Sequence, residues 1–151
     1  MSFTGREQTF TDTTMTNNGF LPDVSVGDFQ ENYRVANEYG LGAVTESLEL
    51  AMIEMNGRLK NRLAEWELAG YASLSDVPDQ AIPNQYKTLY LAAVMHWAKS
   101  ELIRRNISVT TRKVSDVTGT VAEPNEIWYR RRADQYARQL TGSTGITCVL
   151  L

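Results

Sequence analysis

The feature that most constrains this chain is a run of apolar residues that recur every three or four positions between Val44 and Ala69. An α-helix has 3.6 residues per turn, so this spacing gathers them on one face. The residues of that face are Val44, Leu48, Met52, Met55, Leu59, Leu63 and Trp66. Gly70 follows as a left-handed cap, and Pro78 comes shortly after it. The pattern predicts one long amphipathic helix that packs against another element.

Three further helices follow from the same reasoning. A long helix from about Asn84 to Arg105 places Tyr86, Leu89, Tyr90, Ala93 and Trp97 inward, and the short connection before it predicts an antiparallel pair with the first. A last helix begins near Pro124 and ends near Leu140. A short helix, about Val26 to Val35, starts at the capping box Ser25 to Asp28. The sequence therefore predicts an all-α protein, a small bundle of about four helices.

Three segments lie outside this bundle. Residues 1–22 are rich in Thr, Asn and Gly, and predict an extended N-terminal arm. The predicted helical domain spans residues 23–142. It contains the second segment, residues 106–122, for which the sequence predicts a β-hairpin or a long loop. That loop contains Ile107, Val109, Arg112, Lys113 and Val114.

Residues 143–151 form an apolar tail that is typical of a β-strand. Its strand-favouring residues are Ile146, Thr147, Cys148, Val149, Leu150 and Leu151. Such a strand either packs under the chain's own core or is given to another subunit as an added strand. The residues alone leave both outcomes open.

Charge and composition exclude several classes. The net charge is −3, but residues 1–100 carry 7 basic and 13 acidic residues, whereas residues 101–151 carry 8 and 5. This polarity suits a subunit with different neighbours at its two ends, or an uneven surface without purpose. A single cysteine, no apolar run long enough for a membrane span and no leader pattern predict a protein of a reducing cytosol that is neither membrane-bound nor secreted.

The sequence offers little for catalysis. His96 is the only histidine and Cys148 the only cysteine, so no His-pair or thiol-pair metal site can form. No nucleophile elbow, phosphate-binding glycine loop or dinucleotide fingerprint is present. We therefore expect no enzyme activity, no metal and no cofactor.

Three adjacent arginines, Arg130, Arg131 and Arg132, predict either a nucleic-acid contact or a solvated, salt-bridged helix face. The second interpretation is favoured because neighbouring residues on a helix point in different directions. The acidic total also argues against a dedicated DNA reader.

The order of these elements resembles a known family. The first elements in this order are Phe20-Leu21-Pro22-Asp23, a long helix with Glu54, Asn56 and Leu59, and then Ala69-Gly70-Tyr71 and Leu74-Ser75-Asp76-Val77-Pro78. A Tyr-rich helix, a valine-bearing loop, an arginine helix with Trp128 and an apolar tail follow them. The chain resembles, from about residue 20 to 151, the head completion (GPL) proteins of contractile-tailed temperate phages.

The resemblance implies a structural protein of the virion neck, made in the bacterial host cytoplasm. Such head-tail connector adaptors form a ring, usually of twelve copies, under the portal protein. The ring extends the DNA channel and offers a platform to tail or neck proteins. The alternatives are a tail-side neck protein and a small DNA-binding regulator.

Two segments then gain expected roles. The tail from Ile146 to Leu151 would dock on the portal or on an adjacent copy by adding a strand. Arg112 and Lys113 in the predicted loop would face channel DNA, through diffuse and non-specific charge contacts, or the adjoining subunit.

Overall fold

A computed structural model describes residues 10–36, 39–111 and 124–142. Its helices are α1 (Val26–Asn32), α2 (Leu41–Arg58), α3 (Lys60–Leu68), α4 (Gln85–Thr111) and α5 (Pro124–Thr141), and a 3-10 turn spans Leu74–Asp76. Two short strands, β1 (Thr14–Met15) and β2 (Val24–Ser25), form an antiparallel ribbon. The prediction of a mostly helical bundle is confirmed.

The long helix predicted from Val44 to Ala69 is divided at Leu59 into α2 and α3. The main-chain N–H of Leu59 still donates to Met55 O at 3.0 Å, so the helical hydrogen bonds continue past the division. Gly57, a weak helix former, lies two residues before it. A glycine inside a helix can mark a close backbone crossing, but no atom of another described element lies within 4 Å of the position a Cβ on Gly57 would take.

Gly70 ends α3 as predicted, with φ +91°. The main-chain N–H groups of Gly70 and Tyr71 donate to the carbonyls of Glu67 and Trp66, at 3.0 and 3.2 Å. This pair of bonds is the Schellman arrangement, in which a left-handed residue satisfies the last helical carbonyls.

Helix α4 runs six residues past its predicted end, from Arg105 to Thr111. Ile107 and Val109 therefore lie in the helix and not in a loop or hairpin, which corrects the predicted start of that segment at residue 106. β-branched residues lower helix propensity only slightly, so their presence does not by itself end a helix. In the preceding turn, Arg104 pairs with Glu126 of α5 at 3.7 Å.

Side-chain pairs define the direction of the helices. Glu46 near the start of α2 pairs with Arg105 near the end of α4, whereas Asn56 late in α2 meets Tyr90 early in α4. Helices α2 and α4 are therefore antiparallel, as predicted. Helix α5 lies antiparallel to α4 on the same reasoning, since Glu126 meets Arg104 and the ring of Tyr136 lies 5.2 Å from that of His96.

The core lies where α2, α4 and α5 meet. Ala93 and Ala98 of α4 have no exposed surface, and such small side chains permit a close approach of neighbouring helices. Apolar residues that are almost completely buried surround them, namely Val44, Leu48, Met55, Leu59, Tyr90, Leu102, Ala133 and Leu140. Burial of this apolar surface is the main force that holds the bundle together.

The described part of the predicted N-terminal arm, residues 10–22, packs on the body instead of extending from it. Met15 pairs with Val24 in the β1–β2 ribbon. Phe20 and Leu21 are only 7% and 2% exposed, and the Phe20 ring stacks on Trp66 with a centroid distance of 6.1 Å. Burial and stacking of the Phe20 ring stabilise this packed arrangement, although most of the segment is polar. Residues 1–9 lie outside the described part of the chain.

The capping box that predicted α1 is present in part. The side-chain oxygen of Ser25 accepts a hydrogen bond from the main-chain N–H of Asp28 at 3.2 Å, so Ser25 is the N-cap. The helix ends at Asn32, three residues earlier than predicted, and Arg34 just after it has φ +48°.

Candidate interaction surfaces

Most of the residues selected from the sequence as binding sites lie outside the described ranges. These residues are Ile146, Thr147, Cys148, Val149, Leu150 and Leu151 of the tail, and Arg112, Lys113 and Val114 of the loop. Their roles stay predictions. The three arginines of α5 are described, and the structure separates them into two kinds.

Arg130 joins α5 to α4 and faces inward. Its guanidinium donates to the Glu101 carboxylate and lies 4.4 Å from the Trp97 ring centroid. A charge-assisted hydrogen bond and a cation–π contact together fix one side chain in one orientation. Arg130 therefore takes the salt-bridge role among the two that the sequence allowed.

Arg131 and Arg132 point outward, as does Arg138 two turns later. None of the three forms an ion pair with another described residue. Arg132 lies over the ring of Trp128 at 5.2 Å, and Trp128 itself is 48% exposed. Because Ile127 beside it is 57% exposed, the outer side of α5 carries apolar surface next to unpaired positive charge. We define Ile127, Arg131 and Arg138 as the basic α5 face.

The outer side of α2 has the opposite sign. Glu49 is exposed and unpaired within the described ranges, and Leu50 and Ile53 next to it are 37% and 63% exposed. We define Glu49, Leu50 and Ile53 as the acidic α2 face. A groove of about 410 Å³ adjoins it, between α2 and the segment from Met15 to Asn18.

A polar network that the sequence did not reveal closes one end of this groove. Asn17 Nδ2 donates to the Tyr90 hydroxyl at 2.7 Å, Tyr90 donates to Asn56 Oδ1 at 2.6 Å, and Asn56 Nδ2 donates to Asn17 Oδ1 at 2.9 Å. Burial raises the pKa of Tyr90 to about 12. The only sequence signal was Asn17-Asn18-Gly19, a typical turn that does not name its partners.

A second network joins the outer helices. Arg58 donates to Glu54, four positions earlier in α2, at 2.9 Å, and also to Asp134 of α5 at 2.7 Å. The link to Asp134 spans 76 positions of the sequence and was not predicted. It is a direct side-chain link between α2 and α5.

His96 lies among aromatic rings at the junction of α1, α4 and α5. Its Nδ1 is 2.7 Å from the Ala92 carbonyl and 3.2 Å from the Tyr33 hydroxyl, and Tyr129 and Tyr136 flank the ring. Burial lowers the pKa of His96, and the positive charge of Arg132 lowers it further. The hydrogen bond to the Ala92 carbonyl offsets part of this decrease. The proton on Nδ1 is thus held by a main-chain oxygen, as expected for a structural imidazole.

The described ranges contain no group of three or more His, Cys, Asp or Glu residues placed to hold a metal ion. Among the helices of the same ranges, none combines the length and apolarity that crossing a bilayer requires.

Comparison with known proteins identifies the family of this chain. The family of phage head completion proteins (GPL) matches residues 15–151, and the chain therefore belongs to that family. A probable head completion/stabilization protein of Haemophilus phage HP1 is 27% identical over 127 residues, which are 83% of this chain and 85% of the relative. No solved structure matches the chain. The family gives the protein a structural role in the phage head and places it in the virion.

Proposed function

We propose that this chain is a head-tail connector adaptor. Twelve copies form a ring beneath the portal protein, lengthen the channel through which DNA leaves, and provide the platform to which tail or neck proteins attach. The subunit is made in the host cytoplasm and joins the particle when the head is filled. It carries out no chemistry and holds no cofactor.

The observation that carries this proposal is the family match, which extends over residues 15–151 and thus over the helical body, the segment after α4 and the tail. The structure supports it physically. The three packed helices form a core of their own, and the described residues still leave two apolar faces of opposite charge uncovered. A subunit with a complete core and uncovered apolar faces is typical of a component that folds first and assembles later.

The tail supplies the attachment in this proposal. Ile146 to Leu151 adds a strand to the portal or to the adjacent copy, with main-chain hydrogen bonds for affinity and alternate side chains in pockets for specificity. The cost of ordering the segment falls on the binding step. The portal therefore acts as a template, and the free subunit stays a monomer.

A pull-down with the cognate portal tests this role. The full chain should bind portal particles, whereas a chain that lacks Ile146 to Leu151 should keep its helical circular dichroism and lose the binding. Cys148→Ser, which keeps the length and the other apolar residues, is the matched control and should bind normally. Normal binding by the shortened chain would reject the tail as the attachment.

Binding to the portal, to the tail terminus and to free duplex DNA separates the alternatives. A tail-side neck protein would ignore the portal and bind the tail terminus. A DNA-binding regulator would shift free duplex DNA at moderate salt as a small oligomer, because its affinity comes from phosphate contacts. An adaptor should bind the portal and leave free duplex unshifted.

Arg112 and Lys113 contact channel DNA or the adjoining copy in this proposal. DNA must slide through the channel, so diffuse positive charge suits the role better than base-specific contacts. Reversal of both charges, Arg112→Glu with Lys113→Glu, should reduce DNA retention or ring formation. Lys87→Glu, on the exposed first turns of α4, is the control. If the double variant retained DNA and formed rings as the control does, these two residues would have no such role.

A further inference from the structure

We infer that the acidic α2 face of one copy packs antiparallel against the basic α5 face of the next copy, and that this contact builds the ring. The inference rests on the proposed adaptor function and names the surfaces by which neighbouring copies meet. The partner of each face is therefore a second copy of this chain.

The spacing of the residues on each face supports this inference. Glu49 and Ile53 are four positions apart in α2, and Ile127 and Arg131 are four positions apart in α5. Residues four apart lie on the same side of a helix, about 6 Å apart along its axis. On each face, an exposed isoleucine and a charged residue thus lie one helical turn from each other.

The order of the two residues sets the direction of packing. In α2 the charge comes first and the apolar residue second, whereas in α5 the apolar residue comes first. An antiparallel pair places Glu49 opposite Arg131 and Ile53 opposite Ile127. A parallel pair would place each charge against an isoleucine and desolvate it without a partner, which is unfavourable.

Charge complementarity favours a second copy over the other partners. Glu49 is unpaired within the described ranges, and the same holds for Arg131 and Arg138. Each face therefore offers charge that no described residue of its own subunit pairs with. DNA would use the α5 face alone, and would leave the exposed Leu50 and Ile53 of α2 unexplained.

The contact is also of the right type for a ring. A contact between two different patches of the same chain is heterologous, and it closes into a ring when the rotation between copies allows it. Within one copy, Arg58 bonds both Glu54 and Asp134 and so links the helices that carry the two faces. The apolar residues supply burial, and the charges select the register.

Charge reversal with mixing tests the inference. Glu49→Arg and Arg131→Glu each place like charges in every contact of the ring, so each variant alone should lose ring formation on portal particles by about tenfold or more. An equal mixture of the two should assemble, because alternate copies then put opposite charges together in every contact. A ring of even copy number accepts this alternation. The chain that carries both changes should also assemble alone.

Cross-linking provides a second measurement that does not depend on charge. Ile53→Cys and Ile127→Cys, in a Cys148→Ser background, replace two exposed side chains and should leave the fold intact. Mild oxidation of assembled rings should join neighbouring copies into a ladder of covalent oligomers. Leu68→Cys, 89% exposed on α3, replaces Ile53→Cys in the control and should give no ladder.

The possible results separate the inference from the proposed function. Wild-type binding to portals with normal rings from both single variants would overturn the inference and leave the adaptor function standing. If the single variants lose ring formation, their mixture does not restore it and no cysteine ladder forms, the inference fails. The faces would then contact DNA, the portal or another part of the same chain. Failure of the wild-type chain to join portals at all would overturn the adaptor function and, with it, the ring contact.

Discussion

Tyr90 of α4 and Asn56 of α2 share a hydrogen bond of 2.6 Å, and Asn17 completes a closed triangle with both. Tyr90 has no exposed surface, so its hydroxyl depends on these two partners. The triangle ties the N-terminal segment to α2 and α4 at the rim of the acidic α2 face. The described part of that segment is thus a component of the folded body.

Removal of the Tyr90 hydroxyl should therefore destabilise the protein. Tyr90→Phe leaves the side chains of Asn17 and Asn56 each with a lost partner, and the expected loss is about 1–3 kcal/mol in the free energy of unfolding. The urea-unfolding midpoint measures it. Tyr71→Phe is the control, since no described residue bonds that hydroxyl, and an equal effect of both changes would argue against the triangle.

Two glycines should respond oppositely to alanine. Gly57 of α2 has open space where a Cβ would go, so Gly57→Ala should stabilise the protein by about 1 kcal/mol through helix propensity. A Cβ on Gly27 of α1 would lie 2.5 Å from the main-chain oxygen of Thr11. Gly27→Ala should therefore destabilise by about 1–3 kcal/mol. Thermal unfolding compares them, and a lower melting temperature for Gly57→Ala would contradict the helix geometry.

The ring of Phe20 should contribute strongly to stability. Phe20→Ala removes a buried ring that stacks on Trp66, and should cost about 3–5 kcal/mol. The loss of the stacked Phe20 ring should also change the fluorescence of Trp66. Phe10→Ala, at a side chain that is 41% exposed, should have little effect. If both changes were harmless, residues 10–22 would be the independent arm that the sequence predicted.

Acid should weaken the protein partly through His96. Burial lowers its pKa in the folded state, so the unfolded chain takes up the proton first, near its ordinary pKa of about 6.5. The stability that neutral His96 provides is complete above that pH and declines as pH falls toward the folded pKa. His96→Asn removes the titrating group. Its free energy of unfolding should fall less between pH 7 and pH 5 than that of the wild type, and equal slopes would contradict the assignment.

The sequence predicted the helices well because their signals are local. The apolar spacing from Val44 to Trp66, the cap at Gly70 and the start at Pro124 each depend on residues within a few turns. Such signals fail at boundaries. The valines and threonines after Arg105 favour strand by composition, yet α4 continues to Thr111, because β-branched residues lower helix propensity only slightly.

The surfaces were predictable only in part. The Arg130 to Arg132 run was predicted, but its division needed the positions of Glu101 and Trp97: Arg130 forms a bridge, whereas Arg131 and Arg132 form no ion pair with another described residue. The acidic α2 face could not be predicted from the sequence, because exposed apolar residues cannot be distinguished from core residues until the inner side of the helix is known.

By itself the sequence determined the helical class, the antiparallel pairing of the long helices and the family to which the chain belongs, since periodicity, caps and element order are written along the chain. Only the tertiary structure decided that Phe20 lies in the core, that Asn17 reaches Tyr90 and that α2 and α5 present faces of opposite charge. These facts depend on contacts between residues far apart in sequence, and such contacts exist only after the helices have packed.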